Sequence, residues 1–212
     1  MSTHQEPGSR AYHHGDLRRR LVEEAIVMLR EKGLESLSLR RLADRVGVSQ
    51  TALYHHFQDK QGLLCAMGEE GIRRFDMAVR QSESGGQTPE ARFESFITAY
   101  VQFALSYPEL YELMFGRTTW RGGTTASFEQ AARGSFRAYA EMVGDLQQAG
   151  QLSSSLNALR LAQVIWGTLH GLCRMHNDGL LFSPKDVEEI SRYALWMVRN
   201  MRPEAGGSSA TE

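Results

Sequence analysis

The segment that decides the fold runs from Gly33 to Lys60 and reads GLESLSLRRLADRVGVSQTALYHHFQDK. Its first part places apolar residues at i, i+3, i+4 and i+7, the spacing of one helix face. These residues are Leu39, Leu42, Ala43 and Val46. Ser38 precedes them and predicts an N-cap, because its hydroxyl can accept a bond from a free amide of the first turn. Gly47 follows directly and suits the left-handed conformation that ends many helices.

A second short helix is predicted immediately after the glycine turn. Ser49 is its N-cap, and Leu53 and Phe57, four residues apart, are its inward pair. The side chains left on its outer face are Gln50, Thr51, Tyr54 and His55. Two short helices joined by such a turn predict a helix-turn-helix, which places its second helix in the major groove of DNA.

The outward residues of the second helix have side chains that suit DNA. Gln50 can pair with an adenine edge, and Thr51 can offer a base its hydroxyl or its methyl group. Tyr54, His55 and Lys60 are better suited to phosphates, which orient the helix without reading sequence. The alternative is that these residues form the solvated face of an ordinary helical hairpin.

A resemblance supports the DNA-binding interpretation. From about Tyr12 to Arg74 the chain resembles the DNA-binding domain of the TetR family of bacterial transcriptional repressors. The most specific part is the block VGVSQTALYHHF, residues 46–57. Further matching positions are Ala25, Gly33, Leu34, Ser38, Leu39, Leu42, Ala43, Lys60 and Leu64. The family usually has Thr where Ser38 stands, so the hydroxyl is kept; Ser38, Arg40 and Ser49 complete our candidate DNA-binding residues.

The remaining sequence predicts helices and no strand. The first expected helix runs from Gly15 or Asp16 to Lys32, and a long one runs from after Asp59 to Glu83. A helix from Thr88 to Ser106 is followed, after a break at residues 107–108, by a short helix that reaches Phe115. The remaining expected helices are Thr125 to Gln148, Asn157 to His176 and Pro184 to Met201. Residues 117–123 are expected to form a loop. The predicted fold class is therefore all-α, with an N-terminal three-helix helix-turn-helix domain and a C-terminal helical ligand-binding and dimerisation domain.

Domain boundaries follow from this pattern. We expect a DNA-binding domain at 12–58 and a ligand-binding and dimerisation domain at 59–202. Residues 1–11 and 203–212 have few apolar anchors, which predicts a disordered arm and a disordered tail. Tyr12 and His13 are candidates to follow the DNA backbone or to enter the minor groove, as extended arms do. The alternative is a frayed terminus.

Composition agrees with a folded DNA-binding protein. The chain has 212 residues, 42% of them hydrophobic, and a net charge of -1. Residues 1–65 carry 10 basic and 8 acidic residues, against 14 and 17 in the rest. This weakly basic head predicts few phosphate contacts and a moderate salt dependence.

The sequence also predicts a cytoplasmic location. The N-terminus is too polar for a signal peptide, and no apolar run is long enough to span a membrane. Cys65 and Cys173 have apolar neighbours, so we expect two buried, reduced thiols.

Bulky apolar side chains in the C-terminal part suit a small-molecule pocket. The candidates are Phe96, Tyr100, Phe103, Met114, Phe115, Trp120 and Met142. Such a stripe also fits plain core, and the resemblance is what implies a cavity. Trp166 and His170 resemble the Trp-x-x-x-His-Gly stretch of a subset of TetR-like C-terminal domains and join the candidates, although His170 fits a core histidine equally well.

The two histidine pairs, at 13–14 and 55–56, do not predict a metal site, since adjacent histidines on one short element rarely share an ion. We also find no nucleophile elbow, phosphate-binding glycine loop or paired carboxylates. We therefore expect no metal, no cofactor and no enzymatic activity.

Dimerisation is expected because one short recognition helix contacts only a few base pairs, and related proteins bind two half-sites as two-fold dimers. The candidate interface residues are Ile165, Leu169, Leu172, Tyr193 and Met197. They also fit the protomer's own core.

Together these features predict a repressor released from a palindromic operator on double-stranded DNA when a small, hydrophobic effector binds the C-terminal domain. In this mechanism the effector tilts the helix after Asp59, so that the two DNA-binding heads no longer match the operator. The alternatives are a ligand-promoted DNA binder of the corepressor type and a ligand-independent DNA-binding protein.

Overall fold

The computed structural model describes residues 9–83 and 87–180, with five later positions: Glu189, Arg192, Tyr193, Trp196 and Met197. Its helices in this part are α1 (Ser9–Lys32), α2 (Leu39–Val46), α3 (Gln50–Tyr54), α4 (Lys60–Ser82), α5 (Pro89–Ser106), α6 (Pro108–Phe115), α7 (Arg117–Arg121), α8 (Ala126–Gln148) and α9 (Ala158–Asn177). A single 3-10 turn, Leu34–Ser36, precedes α2. The described residues include no strand, which agrees with the predicted all-α class.

Short-range signals located most helix ends correctly. Ser38 and Ser49 are the N-caps of α2 and α3, and Gly47 ends α2 with φ 76° and ψ 36°. Thr88 caps α5, and its hydroxyl accepts a bond from the amide of Ala91 at 3.2 Å. Each of these caps satisfies a backbone group that the helix cannot satisfy itself.

The start of α1 differs from the prediction. The helix begins at Ser9, not at Gly15 or Asp16, so Tyr12 and His13 belong to a helix and not to an extended arm. A glycine inside a helix weakens it without ending it. Asp16 is no cap; its carboxylate accepts a bond from Arg19 at 2.8 Å, one turn further along.

The predicted loop at 117–123 is also wrong in part, because residues 117–121 form α7. Thr119 of this helix is fully buried, and the indole of Trp120 donates to the carbonyl of Met114 at 2.8 Å. Tertiary contacts of this kind are invisible to a pattern search. Residues 1–8, the tail at 203–212 and most of the expected last helix lie outside the described residues.

The chain divides into two compact units. The first contains the described residues up to Gly71, together with Glu109–Gln130. Its core is apolar and draws on α1 to α4, with Leu21, Ala25, Leu42, Leu53, Leu63 and Met67 all fully buried. The second contains Ile72–Pro108 and the described residues from Ala131 onwards. In it α5 packs against α9, and the amide of Asn177 donates to the carbonyl of Ala104 at 3.1 Å.

Candidate DNA-binding site

The turn between α2 and α3 fixes the direction in which the second helix leaves the first. The amides of Gly47 and Val48 both donate to the carbonyl of Ala43, each at 3.0 Å. The double contact depends on the positive φ of Gly47, a backbone conformation that glycine adopts at low cost and other residues rarely adopt. The sequence block from α2 to α3 therefore folds as one local unit.

Ser38 and Ser49 begin the two helices of this motif. The hydroxyl of Ser38 accepts a bond from the amide of Arg41 at 3.2 Å, and that of Ser49 accepts from Ala52 at 3.1 Å. Each hydroxyl keeps its own hydrogen, which can be donated to a phosphate. Ser38 and Ser49 are therefore helix caps, and this role does not prevent either hydroxyl from contacting DNA.

The outer face of α3 carries the predicted DNA-binding side chains. Gln50, Thr51 and Tyr54 are exposed, with Tyr54 at 50% of its full accessible area, while Leu53 is fully buried. His55 is exposed at the end of the helix. The structure therefore brings these four candidates to one surface, with Gln50 and Thr51 at the start of α3 and Tyr54 and His55 at its end.

The cations around the motif differ in their availability. Arg40 is exposed. Lys60 donates from Nζ to the carbonyl of Leu34 at 3.2 Å, which leaves two of its three N–H groups. Arg41 donates to the carbonyl of Ser36, also at 3.2 Å. Both backbone contacts leave the positive charge intact, so phosphate contact remains open to each cation.

Arg45 is engaged in a different way. Its Nη1 and Nη2 donate to both carboxylate oxygens of Glu31 at 2.6 and 3.0 Å, and its Nε donates to Glu24. The hydrogen bond from Arg45 lowers the pKa of Glu31, and the two carboxylates raise the pKa of Arg45. Sequence reasoning assigned Arg45 no role, because its partners lie 14 and 21 positions away on α1.

In the second unit, the candidate ligand residues Phe96, Tyr100 and Phe103 are buried around Phe75. The ring of Phe75 contacts each of them edge-on, with centroid distances of 5.6 to 6.0 Å. The candidate Met142 is also buried in this unit. Phe75 was not among the candidate ligand residues.

Met114, Phe115 and Trp120 belong to the first unit. Met114 is fully buried, and its side chain lies so close to Gly71 that a Cβ at Gly71 would be 2.9 Å from it. Trp120 packs on Phe128 with a centroid distance of 5.1 Å. These three candidates therefore have packing partners inside the first unit.

Tyr139 is an unexpected feature of the aromatic cluster in the second unit. It stacks on Phe96 with a centroid distance of 4.7 Å and also contacts Phe93 and Phe136. Only 4% of its surface is exposed, and its hydroxyl has no hydrogen-bond partner among the described residues. Burial raises the pKa of Tyr139, so the group stays a hydrogen-bond donor.

The Trp166 and His170 rings stack with a centroid distance of 5.0 Å and an interplanar angle of 15°. Phe136 contacts Trp166 edge-on at 6.1 Å, so the pair is joined to the Tyr139 cluster. Burial lowers the pKa of His170, which favours the neutral imidazole. Cys173, one turn further along α9, is buried and reduced as expected, and burial raises its pKa to about 12.

A separate groove of about 590 Å³ runs along α5 in the second unit. Small and polar side chains such as Ser95, Thr98 and Gln102 line much of it. Phe103 is the one candidate ligand residue in its lining, among the residues that the structure describes. The groove and the aromatic cluster thus share Phe103.

The candidate interface residues of α9 are not equivalent. Ile165 and Leu169 have no exposed surface, because they pack inside their own unit, and Leu172 is half-buried. Contrary to the prediction, Ile165 and Leu169 are therefore core residues of their own unit and not part of a surface between protomers. Tyr193 is exposed and Met197 is half-buried.

The described residues contain neither a membrane-spanning helix nor a metal-binding cluster. No helix in that part of the chain is both long and apolar enough to cross a bilayer. No three His, Cys, Asp or Glu side chains there are grouped so as to hold a metal ion.

Comparison with solved structures shows the same fold in other proteins. A protein of unknown function from Rhodococcus sp. RHA1 is 34% identical, over 92% of this chain and 99% of that one, with a TM-score of 0.78. A tetR-family regulatory protein from Rhodococcus RHA1 is 20% identical, over 87% and 96%, with a TM-score of 0.65. The fatty acid degradation regulator FadR from Bacillus halodurans is 14% identical, over 92% and 96%, with a TM-score of 0.69.

Both parts of the sequence match known families. Residues 21–67 match the bacterial regulatory proteins of the tetR family, and residues 93–198 match the tetracyclin repressor-like C-terminal domain. The first match covers the helix-turn-helix described above, and the second covers the aromatic cluster and α9. The chain therefore belongs to the TetR family and is a DNA-binding transcriptional regulator, not an enzyme.

Proposed function

We propose that this regulator is a cytoplasmic homodimeric repressor that leaves a palindromic operator when a small, uncharged and largely apolar molecule binds its C-terminal domain. The observation that carries the DNA-binding part is the exposed face of α3, where Gln50, Thr51 and Tyr54 lie on one surface behind a serine cap. In this proposal Gln50 and Thr51 contact bases, whereas Tyr54, His55, Lys60 and Arg40 contact phosphates.

A second copy is needed because α3 has five residues and contacts few base pairs. One face of α9 suits that copy: Val164, Thr168, Gly171 and Met175 recur at intervals of four, three and four residues. Val164 and Met175 are both exposed large apolar side chains, and Gly171 between them permits a close helix approach. Pairing this face with its symmetry mate buries it in an isologous interface.

The support for an effector is the Tyr139 cluster. A buried hydroxyl without a partner costs about 1–3 kcal/mol, and a ligand oxygen that accepts its hydrogen removes that cost. The surrounding Phe93, Phe96 and Phe136 offer apolar contact area. Tyr139 is buried and its ring neighbours are apolar, which disfavours a charged ligand. An uncharged molecule with an acceptor oxygen and an apolar body fits these features.

The coupling between the two parts is proposed to run along α4, which contributes residues to both units. An effector changes operator affinity only through its different affinities for the DNA-binding and the released conformers. A ligand that prefers the DNA-binding conformer instead gives the corepressor alternative.

The first test is selection of bound sequences from a random duplex library with the purified protein. Enrichment of one palindrome supports the dimeric, sequence-specific regulator. Weak, salt-sensitive binding to all sequences contradicts it and favours a ligand-independent DNA-binding protein.

Two variants test the assigned roles on the enriched palindrome. Gln50→Ala is expected to relax the preference at one base pair, at a cost of roughly 1–3 kcal/mol. Tyr54→Ala is expected to weaken binding to all sequences alike. The exposed Gln130, in the same unit, supplies the control Gln130→Ala, which should bind as the unmodified protein does. Unchanged binding by both test variants contradicts the assignment of α3.

A further inference from the structure

Arg18 on α1 is held beside the recognition helix by an aromatic ring. Its Cζ lies 5.5 Å from the centroid of the Phe57 ring. Phe57 is buried, and its amide donates to the carbonyl of Leu53 at 3.0 Å, so the ring that supports Arg18 is anchored to α3 itself. Arg18 is an exposed residue of α1. This geometry orients a cation towards the outside of the head.

An aromatic partner has a different effect on an arginine than a carboxylate has. The ring quadrupole attracts the cation without cancelling its charge. Arg45, by contrast, is neutralised by Glu24 and Glu31, and Arg19 is paired with Asp16. The ion pairs of the described residues do not include Arg18. Arg18 is therefore an oriented arginine with its charge still available.

Arg18 also lines a concave surface of about 750 Å³ in the first unit. Tyr54 and His55, two candidate DNA-binding residues, line the same concavity. Among the described lining residues Asp59 is the single carboxylate, and it is engaged at the start of α4, where Oδ1 accepts a bond from the amide of Gly62 at 2.7 Å. A guanidinium, a phenol and an imidazole thus converge at the end of α3.

We propose that this concavity binds a backbone phosphate of the operator, with Arg18 as its main contact from outside the recognition helix. Guanidinium groups bind phosphate oxygens through paired N–H donors, and a pre-oriented one loses little freedom on binding. Contact from α1, added to contact from α3, fixes the angle at which α3 enters the groove. The inference rests on the DNA-binding function and adds a residue that the α3 motif does not contain.

The test is the salt dependence of operator binding by Arg18→Gln. Each phosphate neutralised contributes about 0.9 to the slope of log K against log salt, and the proposed dimer carries two Arg18 side chains, so the slope should fall by about 1.8. The ratio of unmodified to variant affinity should then shrink about twelvefold between 50 and 200 mM salt. Arg18→Lys keeps the charge and should keep the slope, with weaker binding because lysine lacks the planar donor pair.

Arg20→Gln is the matched control. It removes the same charge from an exposed position of the same helix, about 200° further round the axis. Its slope should equal that of the unmodified protein. An unchanged slope for Arg18→Gln, or equal falls for Arg18→Gln and Arg20→Gln, overturns the proposal. Because the unfolding midpoint of each variant is measured alongside, loss of the fold is recognised separately.

A neutral methylphosphonate, placed in turn at each operator phosphate, identifies the contact. At one position in each half-site it should weaken the unmodified protein and leave Arg18→Gln unaffected. Equal weakening of both proteins at every position contradicts an Arg18 contact. A protein that selects no palindrome at all contradicts the proposed function instead, so the two failures are distinguishable.

Discussion

Arg45 and Glu31 form a bidentate ion pair between α2 and α1, in which the two terminal nitrogens of Arg45 donate to the two carboxylate oxygens of Glu31 at 2.6 and 3.0 Å. Glu24, two turns earlier on α1, accepts from Nε of the same guanidinium. Three N–H donors of Arg45 thus join α2 to two carboxylates of α1. Since α2 carries the turn into α3, this pair helps to set where the recognition helix lies.

We expect Arg45→Gln to lower the unfolding temperature and to leave the salt slope of operator binding unchanged. The guanidinium is already neutralised by carboxylates, so its loss removes a structural contact and no phosphate contact. Arg40→Gln should instead reduce the salt slope and leave the unfolding temperature unchanged, because Arg40 is exposed and proposed to contact DNA. Calorimetry and operator titration at several salt concentrations measure the two effects. A reduced salt slope for Arg45→Gln contradicts the structural role.

The same pair predicts a pH dependence. The pKa of Glu31 is lowered in the folded protein, first by the hydrogen bond from Arg45, so the pair contributes stability above the unfolded value of about 4.5. That contribution is lost as pH falls through the folded pKa. Glu31→Gln should therefore reduce the free energy of unfolding at pH 7, and the difference from the unmodified protein should shrink towards pH 3. A difference that stays constant between pH 7 and pH 3 argues against the ion pair.

Tyr139→Phe is expected to stabilise the protein in the absence of effector. The substitution removes a buried hydroxyl that lacks a partner among the described residues and keeps the ring stacked on Phe96. Relief of the unpaired hydroxyl contributes up to about 1 kcal/mol, which raises the unfolding temperature by about 2–4 °C for a chain of this size. Tyr107→Phe, at a half-buried tyrosine of the same unit, is the control. A destabilised Tyr139→Phe shows that the hydroxyl has a partner in the folded protein.

Sequence reasoning located the elements whose cause is local. The caps at Ser38 and Ser49 and the turn at Gly47 depend on residues within four positions, and all three were confirmed. The contacts of Arg45 join residues 14 and 21 positions apart. No periodicity in one segment reports such a contact, which is why it was missed.

The errors on α9 and α7 have related causes. The stripe that contains Ile165 and Leu169 was identified correctly as apolar, but α9 has a second apolar side through Val164 and Met175. Helical spacing alone does not decide which side faces the protomer's own core. Similarly, α7 is held by tertiary bonds that no local signal announces: the indole of Trp120 donates to the carbonyl of Met114, and the side-chain amide of Gln61 donates to the carbonyl of Thr119.

His170 predicts a second pH effect. Burial lowers its pKa in the folded protein below the unfolded value of 6.5, so the stability that comes from the neutral ring is present above that value. It is lost progressively as pH falls below 6.5 towards the folded pKa. His170→Gln should therefore lose less stability than the unmodified protein between pH 7 and pH 5. Measurements at pH 8, where the imidazole is neutral in both states, give the effect of the lost ring contacts without the effect of titration. If the stability of the two proteins changes with pH in parallel, His170 is not the cause of the loss below pH 6.5.

Val164 and Ile165 are neighbours on α9, yet Val164 is 57% exposed and Ile165 is fully buried. We expect Val164→Asp to dissociate the dimer and to leave the protomer folded, because the proposed interface buries this side chain and the protomer does not. Gln163→Asp adds the same charge to another exposed position of α9 and should stay dimeric. Ile165→Ala should cost about 2–5 kcal/mol of folding stability through the cavity that it leaves. Sedimentation gives the oligomeric state, and circular dichroism on heating gives the stability. If Val164→Asp is folded and still dimeric, the dimer interface does not include this face of α9.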